Sequence, residues 1–483
     1  MSYLGIDLGT SGLRALLVDD TGAPIGATEA SYPVHHPHSG WSEQDPADWV
    51  EALEKAIGTL RAQYPAFAAL RGIGVAGQMH GATLLDADDK VLRRCILWND
   101  SRSHEEAARL DAVPGVRAHS GNVVFAGFTA PKLEWVRKHE PEIFGRTAKV
   151  LLPAGFLNLY LTGEHVADMS DSAGTSWLDT GARGWSDALL EAGHMRRDQM
   201  PRLVEGCEAA GMLRPDLARA WGLTHPVIVT GGAGDNAAAA CGIGAMQEGQ
   251  GFVSLGTSGV LLTARNGYAP APETAVHTFC HAVPGRWYQM GVMLSATDSL
   301  NWLSSITQTR PSELSAALGD ALQPPGPVRF LPYLSGERTP HNDAAIRASF
   351  TGIGADCTRE GLTRAVMEGV AFALRENLEA LRATGANPSE LIAIGGGTRS
   401  HYWLKLIATT LGIPLVLPAD GEFGAALGAA RLATLAPTGE AMETVMQPPD
   451  RGQRIDPVTG LRDSFDDAFG RFRTAYRATR DIQ

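Results

Sequence analysis

The pentapeptide Leu-Gly-Thr-Ser-Gly occurs twice in this chain, as Leu8 to Gly12 and as Leu255 to Gly259. Each copy interrupts a pair of apolar runs, LGIDLGTSGLRALLVD over residues 4–19 and FVSLGTSGVLLTA over residues 252–264. Two β-forming runs joined by a glycine turn predict a hairpin, with glycine where the backbone turns tightly or takes positive φ. One copy alone is an ordinary turn. Two copies point to a chain made of similar halves. A second pair agrees: VIVTGGAGDNAAAA (227–240) and LIAIGGGTRSHYWLKLIATTL (391–411) each read as strand, glycine turn and helix. Strands alternating with longer helical patterns predict an α/β fold in both halves. The expected units are residues 1–245, residues 246–435 and a C-terminal helical extension over 436–483, with the first junction inside Gly244 to Gly251.

Composition narrows the function classes. A 483-residue chain with 44% hydrophobic and 19% charged residues is that of a well-buried soluble protein. No apolar stretch is long enough to span a membrane, and no basic segment precedes Asp7 to make a signal peptide. Five scattered cysteines without a C-x-x-C pair suit reduced thiols and a cytoplasmic location. A net charge of −12 without a run of Lys or Arg argues against a nucleic-acid partner. An anionic substrate must then be held by backbone amides, helix N-termini and a divalent cation.

The glycine turns meet that need. A turn presents several N–H groups to one point, and Thr10, Ser11, Thr257 and Ser258 add hydroxyls beside Gly9 and Gly256. Asp7, just before the first turn, has a carboxylate suited to Mg²⁺, directly or through water. Two facing loops imply a cleft between domains, where ligands usually sit. Asp235, in the Gly-Asp-Asn turn, is placed to accept a hydroxyl proton during attack on phosphorus. Asp is also a preferred helix N-cap, and on local sequence both roles stay open. The bare run Gly395-Gly396-Gly397 lets a flat ring lie on the backbone, although it also reads as a plain strand–helix turn. The GxGxxG match at Gly72 to Gly77 fails as a dinucleotide motif, because the next residues, QMHGATLLD, read as strand rather than helix. There is no P-loop motif and no protein-kinase signature set. Met79 and His80 alone would be core and structural residues.

Taken together, these segments resemble the FGGY carbohydrate kinases of the actin–hexokinase superfamily. The resemblance covers nearly the whole chain. GFTAPKLEWVRKH (127–139) is similar to the family's first signature, with Lys132 and Trp135 at its fixed positions. FTGIGADCTREGLTRAVME (350–368) is similar to the second, departing at Gly361, where a helix is expected to start. GWSEQDPADW, GQMHGATLLD, LWNDSR and YLSGERTPHN most resemble the family's xylulose-phosphorylating members. The resemblance implies two actin/hexokinase-like (ribonuclease H-like) domains flanking a cleft, and transfer of phosphate from ATP to O5 of D-xylulose with Mg²⁺. It implies Asp235 as general base, Met79, His80 and Asn236 against the sugar, and Asp7 associated with the metal. Gly9, Thr10, Ser11, Gly256 and Thr257 would face phosphates, and Gly396 and Gly397 the adenosine. A homodimer is compatible with it. The rival expectations are a kinase for D-ribulose, L-xylulose or D-arabitol, an actin-like ATPase that modifies no sugar, and a non-catalytic sugar sensor.

Overall fold

The computed structural model describes residues 1–419 and 424–482, arranged around two mixed sheets. The principal strands of the first are β1 (Ser2–Leu8), β2 (Gly12–Asp19), β3 (Pro24–Ser31), β4 (Leu70–Gly77) and β5 (Ile228–Thr230). Those of the second are β6 (Gly251–Leu255), β7 (Gly259–Arg265), β8 (His277–Cys280), β9 (Trp287–Met293), β10 (Leu391–Ile394), β11 (Leu415–Pro418) and β12 (Arg451–Ile455). The helices that matter here are α1 (Pro46–Gln63), α2 (Thr129–His139), α3 (Met169–Ser172), α4 (Asp235–Gly242), α5 (Thr297–Thr307), α6 (Arg359–Ala383), α7 (His401–Leu411), α8 (Gly424–Thr438) and α9 (Arg462–Arg480).

The first sheet runs β5–β4–β1–β2–β3, and the second contains β11–β10–β6–β7–β9 in the same sense. In both, the Leu-Gly-Thr-Ser-Gly turn joins an antiparallel pair, and the first strand of that pair continues into parallel neighbours. This duplicated order is the α/β layout expected from the repeat and the actin/hexokinase-like architecture implied by the family resemblance. The central strand β1 is apolar on both faces because both are covered. One face meets Trp49, Leu53, Ile57 and Leu60 of α1, whose N-terminus is capped by Asp45 with Pro46 in the first turn. The other face meets α8, where Ala426, Ala430 and Ala433 pack on Tyr3, Leu16 and Val18.

That second face explains Gly72 and Gly74, which lie in β4. The residues after Gly77, expected as strand, form a turn over Gln78 to His80 and then a short strand over Thr83–Leu85. A Cβ at Gly72 or Gly74 would lie 2.2 Å from the Ala433 carbonyl oxygen or 2.1 Å from that of Ala429. At Gly5 of β1 it would lie 1.9 Å from the Ala426 oxygen. The glycines seat a helix and hold no nucleotide. α8 thus packs on the first sheet, although it lies in the sequence stretch expected to build the second unit.

The stretch after residue 436 is more than a helical appendage. Its strand β12 pairs with β11, and Phe465, Phe469 and Phe472 of α9 join the second core around Phe372 and Tyr333. Gly361 lies in the first turn of α6, where its amide donates to the Thr358 cap, so it does start a helix. Among the described residues, no helix is long and apolar enough to cross a membrane.

Candidate active site

The strands β1, β4 and the short continuation Ala233–Gly234 run parallel and end side by side at Leu8, Gly77 and Gly234. The carboxyl ends of parallel strands are where open α/β sheets gather ligands. Here they deliver Asp7, the Gln78–His80 turn and Asp235 to one place.

Asp235 is the first residue of α4, and the N-cap is Gly234. The role as cap, left open by the sequence, therefore falls away. Its Oδ1 accepts from the Asn236 amide (2.7 Å) and the Asn236 Nδ2 (2.9 Å), which leaves Oδ2 without a partner among the described residues. Burial raises its pKa to about 6, against the lowering effect of those two bonds. Asp7, paired in register with Ala76 on one side and Arg14 on the other, is pushed to about 7 by burial and by the Asp235 carboxylate, with Arg14 opposing. The two acids therefore feel each other across the strand ends.

His80 takes a left-handed backbone conformation (φ 69°). Its Nδ1 lies 2.8 Å from the Gly174 carbonyl, an obligate acceptor, so Nδ1 carries the proton and Nε2 is left to accept. Burial, reinforced by Lys132, holds the ring neutral with a pKa of about 3. The ring stacks on Phe128 at 4.5 Å. Met79 is 4% exposed and packs against Gly234, while Tyr288 donates a weak bond to its sulfur (3.8 Å).

The two glycine turns share one property. Among the described residues, the amides of Thr10, Ser11, Thr257 and Ser258 meet no acceptor within the chain, so four N–H donors stand ready for an anion. In the first turn Gln44 Nε2 holds the Thr10 carbonyl (2.6 Å) and Trp98 Nε1 holds the Thr10 hydroxyl (3.0 Å). In the second, the carbonyls of Gly256 and Thr257 accept from Thr297 (3.0 Å) and Ala296 (2.8 Å) at the start of α5. Gly396 and Gly397 lie beside them at the end of β10. Together with Thr297, Leu300, Ser400 and Tyr402 they line a cavity of about 690 Å³.

Models of the N-terminal and C-terminal domains of the FGGY family of carbohydrate kinases match residues 2–242 and 251–436. The chain belongs to that family. It is 48% identical over 440 residues to the xylulose kinase of Escherichia coli, covering 91% of this chain and 90% of that protein. A crystal structure described as a "xyloylose kinase" from Brucella ovis superposes with a TM-score of 0.99 at 57% identity, covering all of both chains. The structure of the xylulose kinase from Rhodospirillum rubrum gives a TM-score of 0.92 at 27% identity, over 100% and 99% of the two chains. As an FGGY carbohydrate kinase, the protein is a phosphotransferase.

Several residues of this FGGY site were not singled out from the sequence. The first domain does not surround His80 alone: His277 and Phe279 of β8 and Tyr288 of β9 close around His80, Phe128 and Met79. Asn122 fixes β8 in place by a pair of bonds to the Thr278 amide and carbonyl (2.9 Å each). Asp171 of α3 is 1% exposed, and its Oδ1 has no partner among the described residues. Burial and the Asp168 and Asp235 carboxylates hold its pKa well above the usual range. The segments GWSEQD and LWNDSR meet in a buried network. Arg102 bonds Asp100 (2.7 Å) and Glu43 (2.8 Å) and stacks 3.6 Å over Trp41. That network places Gln44 and Trp98, which both hold Thr10 of the first glycine turn.

Proposed function

We propose that the protein transfers the γ-phosphoryl group of ATP to the O5 hydroxyl of D-xylulose, giving D-xylulose 5-phosphate and ADP. The observation that carries this reading is Asp235. It is a carboxylate held at Oδ1, without a partner at Oδ2 among the described residues, poised near pH 6 and set beside the Asp7 strand end and the His80 turn. The names of its relatives supply the sugar. At neutral pH most Asp235 is ionised and can accept the O5 proton as the hydroxyl attacks phosphorus in line. In so loose a transition state, positioning and charge stabilisation outweigh the base.

The other groups do the positioning. Neutral His80 accepts a sugar hydroxyl at Nε2, Asn236 offers its amide beside the base, and Met79 packs on the carbon skeleton. Gly9, Thr10 and Ser11 on one side, and Gly256 and Thr257 on the other, offer amides and hydroxyls to the phosphates. The adenosine occupies the cavity at Gly396 and Gly397. A single acid with a pKa lifted to about 7 fits a magnesium site completed by substrate phosphates and water, as this cation prefers. Mg²⁺ would supply charge neutralisation at the β- and γ-phosphates, with Asp7 the residue that holds it. Five unpaired cysteines suit a reducing cytoplasm.

The test is a coupled ADP-release assay over a panel of ketoses and polyols. D-Xylulose should give the highest kcat/KM, and ADP release without sugar should be slow. A higher kcat/KM for D-ribulose, L-xylulose or D-arabitol would overturn the substrate, and turnover indifferent to every sugar would overturn the reaction.

A further inference from the structure

Lys132 is 0% exposed and forms no ion pair among the described residues, which is rare for a lysine. It lies in the first turns of α2, and its Nζ donates to two backbone carbonyls, those of His80 and Gly127, at 2.7 Å each. The Thr129 hydroxyl donates to the same His80 oxygen at 3.2 Å. Phe128, the residue preceding α2, stacks on the His80 ring. The start of one helix therefore holds His80 by its carbonyl from two donors and by its ring face.

The grip has a reason. His80 sits at φ 69°, where a side-chain-bearing residue is unstable without support from its surroundings. Its ring is pinned on the far side by the Gly174 carbonyl, and a Cβ at Gly174 would come within 2.4 Å of His80 Cε1. Burial moves the Lys132 pKa down to about 7, with Cys95 and Asp100 opposing and Arg102 adding to the fall. A buried ammonium is costly, so its retention where a methionine would fill the space calls for a function.

We propose that Lys132 is a positioning residue for the sugar site: by tying the His80 carbonyl to the start of α2 it aims His80 Nε2 at a hydroxyl of the substrate. This rests on the reading that His80 contacts a sugar. It assigns a task to the fixed lysine of the 127–139 signature that is neither ion pairing nor contact with phosphate.

The test is Lys132→Met in the full-length protein, which keeps the stem and removes the donors. The KM for D-xylulose should rise by about 10- to 100-fold, the range for losing a hydrogen bond from a charged donor, while kcat and the KM for ATP stay within about threefold of wild type. In protein labelled with ¹⁵N-histidine, the His80 Nδ1–H resonance should shift or broaden, with the Nε2–H resonance of His281, which faces the Ala245 carbonyl, unmoved. Equal changes in both KM values, or an unchanged His80 resonance, would overturn the proposal. If Lys132→Met does not fold, Thr129→Val decides. It should raise the KM for the sugar alone, by about two- to fivefold, and no change there overturns the proposal. Should the wild type not use D-xylulose, the proposed reaction fails, whereas the histidine resonance still judges Lys132.

Discussion

The two Leu-Gly-Thr-Ser-Gly turns have the same sequence and the same free amides, yet they are held by different means. Side chains from distant segments grip the first: Tyr32 on the Gly9 carbonyl, Gln44 and Trp98 on Thr10. The start of one helix, α5, grips the second, through the backbone amides of Ala296 and Thr297 and the Thr297 hydroxyl. The first turn follows an acid, Asp7, and shares its strand ends with Asp235. The second has no acid before it and lies beside Gly397, which with Gly396 lines the cavity. Duplication supplied one device for presenting N–H groups, and the surroundings of each copy set its task. On this account the first turn serves the chemistry and the second serves nucleotide binding.

The largest effect expected is at the acid of the first half. Asp235→Asn should lower kcat by about two to four orders of magnitude with little change in the KM for ATP, as steady-state kinetics will show. Wild-type kcat/KM should fall on acidification with a midpoint of about 6 to 7, where Asp235 and Asp7 take up protons. In Asp235→Asn the remaining activity should lose the part of that limb that belongs to Asp235.

A smaller and opposite split is expected in the second half. A Cβ added at Gly396 would meet no heavy atom within 4 Å, and the residue lines the cavity. Gly396→Val should therefore fold normally and raise the KM for ATP about tenfold, leaving the KM for the sugar unchanged. Equal loss in both would break the division of tasks. Trp98→Phe removes one bond to the first turn and should cost about two- to tenfold in kcat/KM.

The smallest effect concerns stability. The folded-state pKa of Asp235 lies above its unfolded value, so the charged form is penalised above pH 6 and the penalty fades as pH falls. Asp235→Asn should melt a few degrees above wild type at pH 8, a difference that shrinks towards pH 4. A constant difference across that range would show that the carboxylate is not desolvated.

The repeat made the fold legible, because hairpin turns and strand–glycine–helix units are local patterns that a one-dimensional reading detects. Asp7, Asp235 and Gly395 to Gly397 were legible for the same reason: each sits on such a turn. The cap at Asp235 was open in sequence because Gly234 and Asp235 differ by a single step of helix start, which only backbone geometry decides. His277, Phe279 and Tyr288 were illegible because nothing in a buried strand marks which side chain faces a neighbouring domain. Asp171 lies in a four-residue helix with no periodicity to read. The seat of α8 on the first sheet joins glycines and alanines more than 300 residues apart, Gly74 and Ala429 for example, a match visible only once both surfaces exist.

The central claim is that ATP is split by a sugar hydroxyl activated at Asp235. Its most direct measurement is ADP release by wild type and Asp235→Asn, each with and without saturating D-xylulose. Strong stimulation by the sugar is expected in the wild type and nearly none in the variant. Stimulation of similar size in both, or none in the wild type, would contradict it.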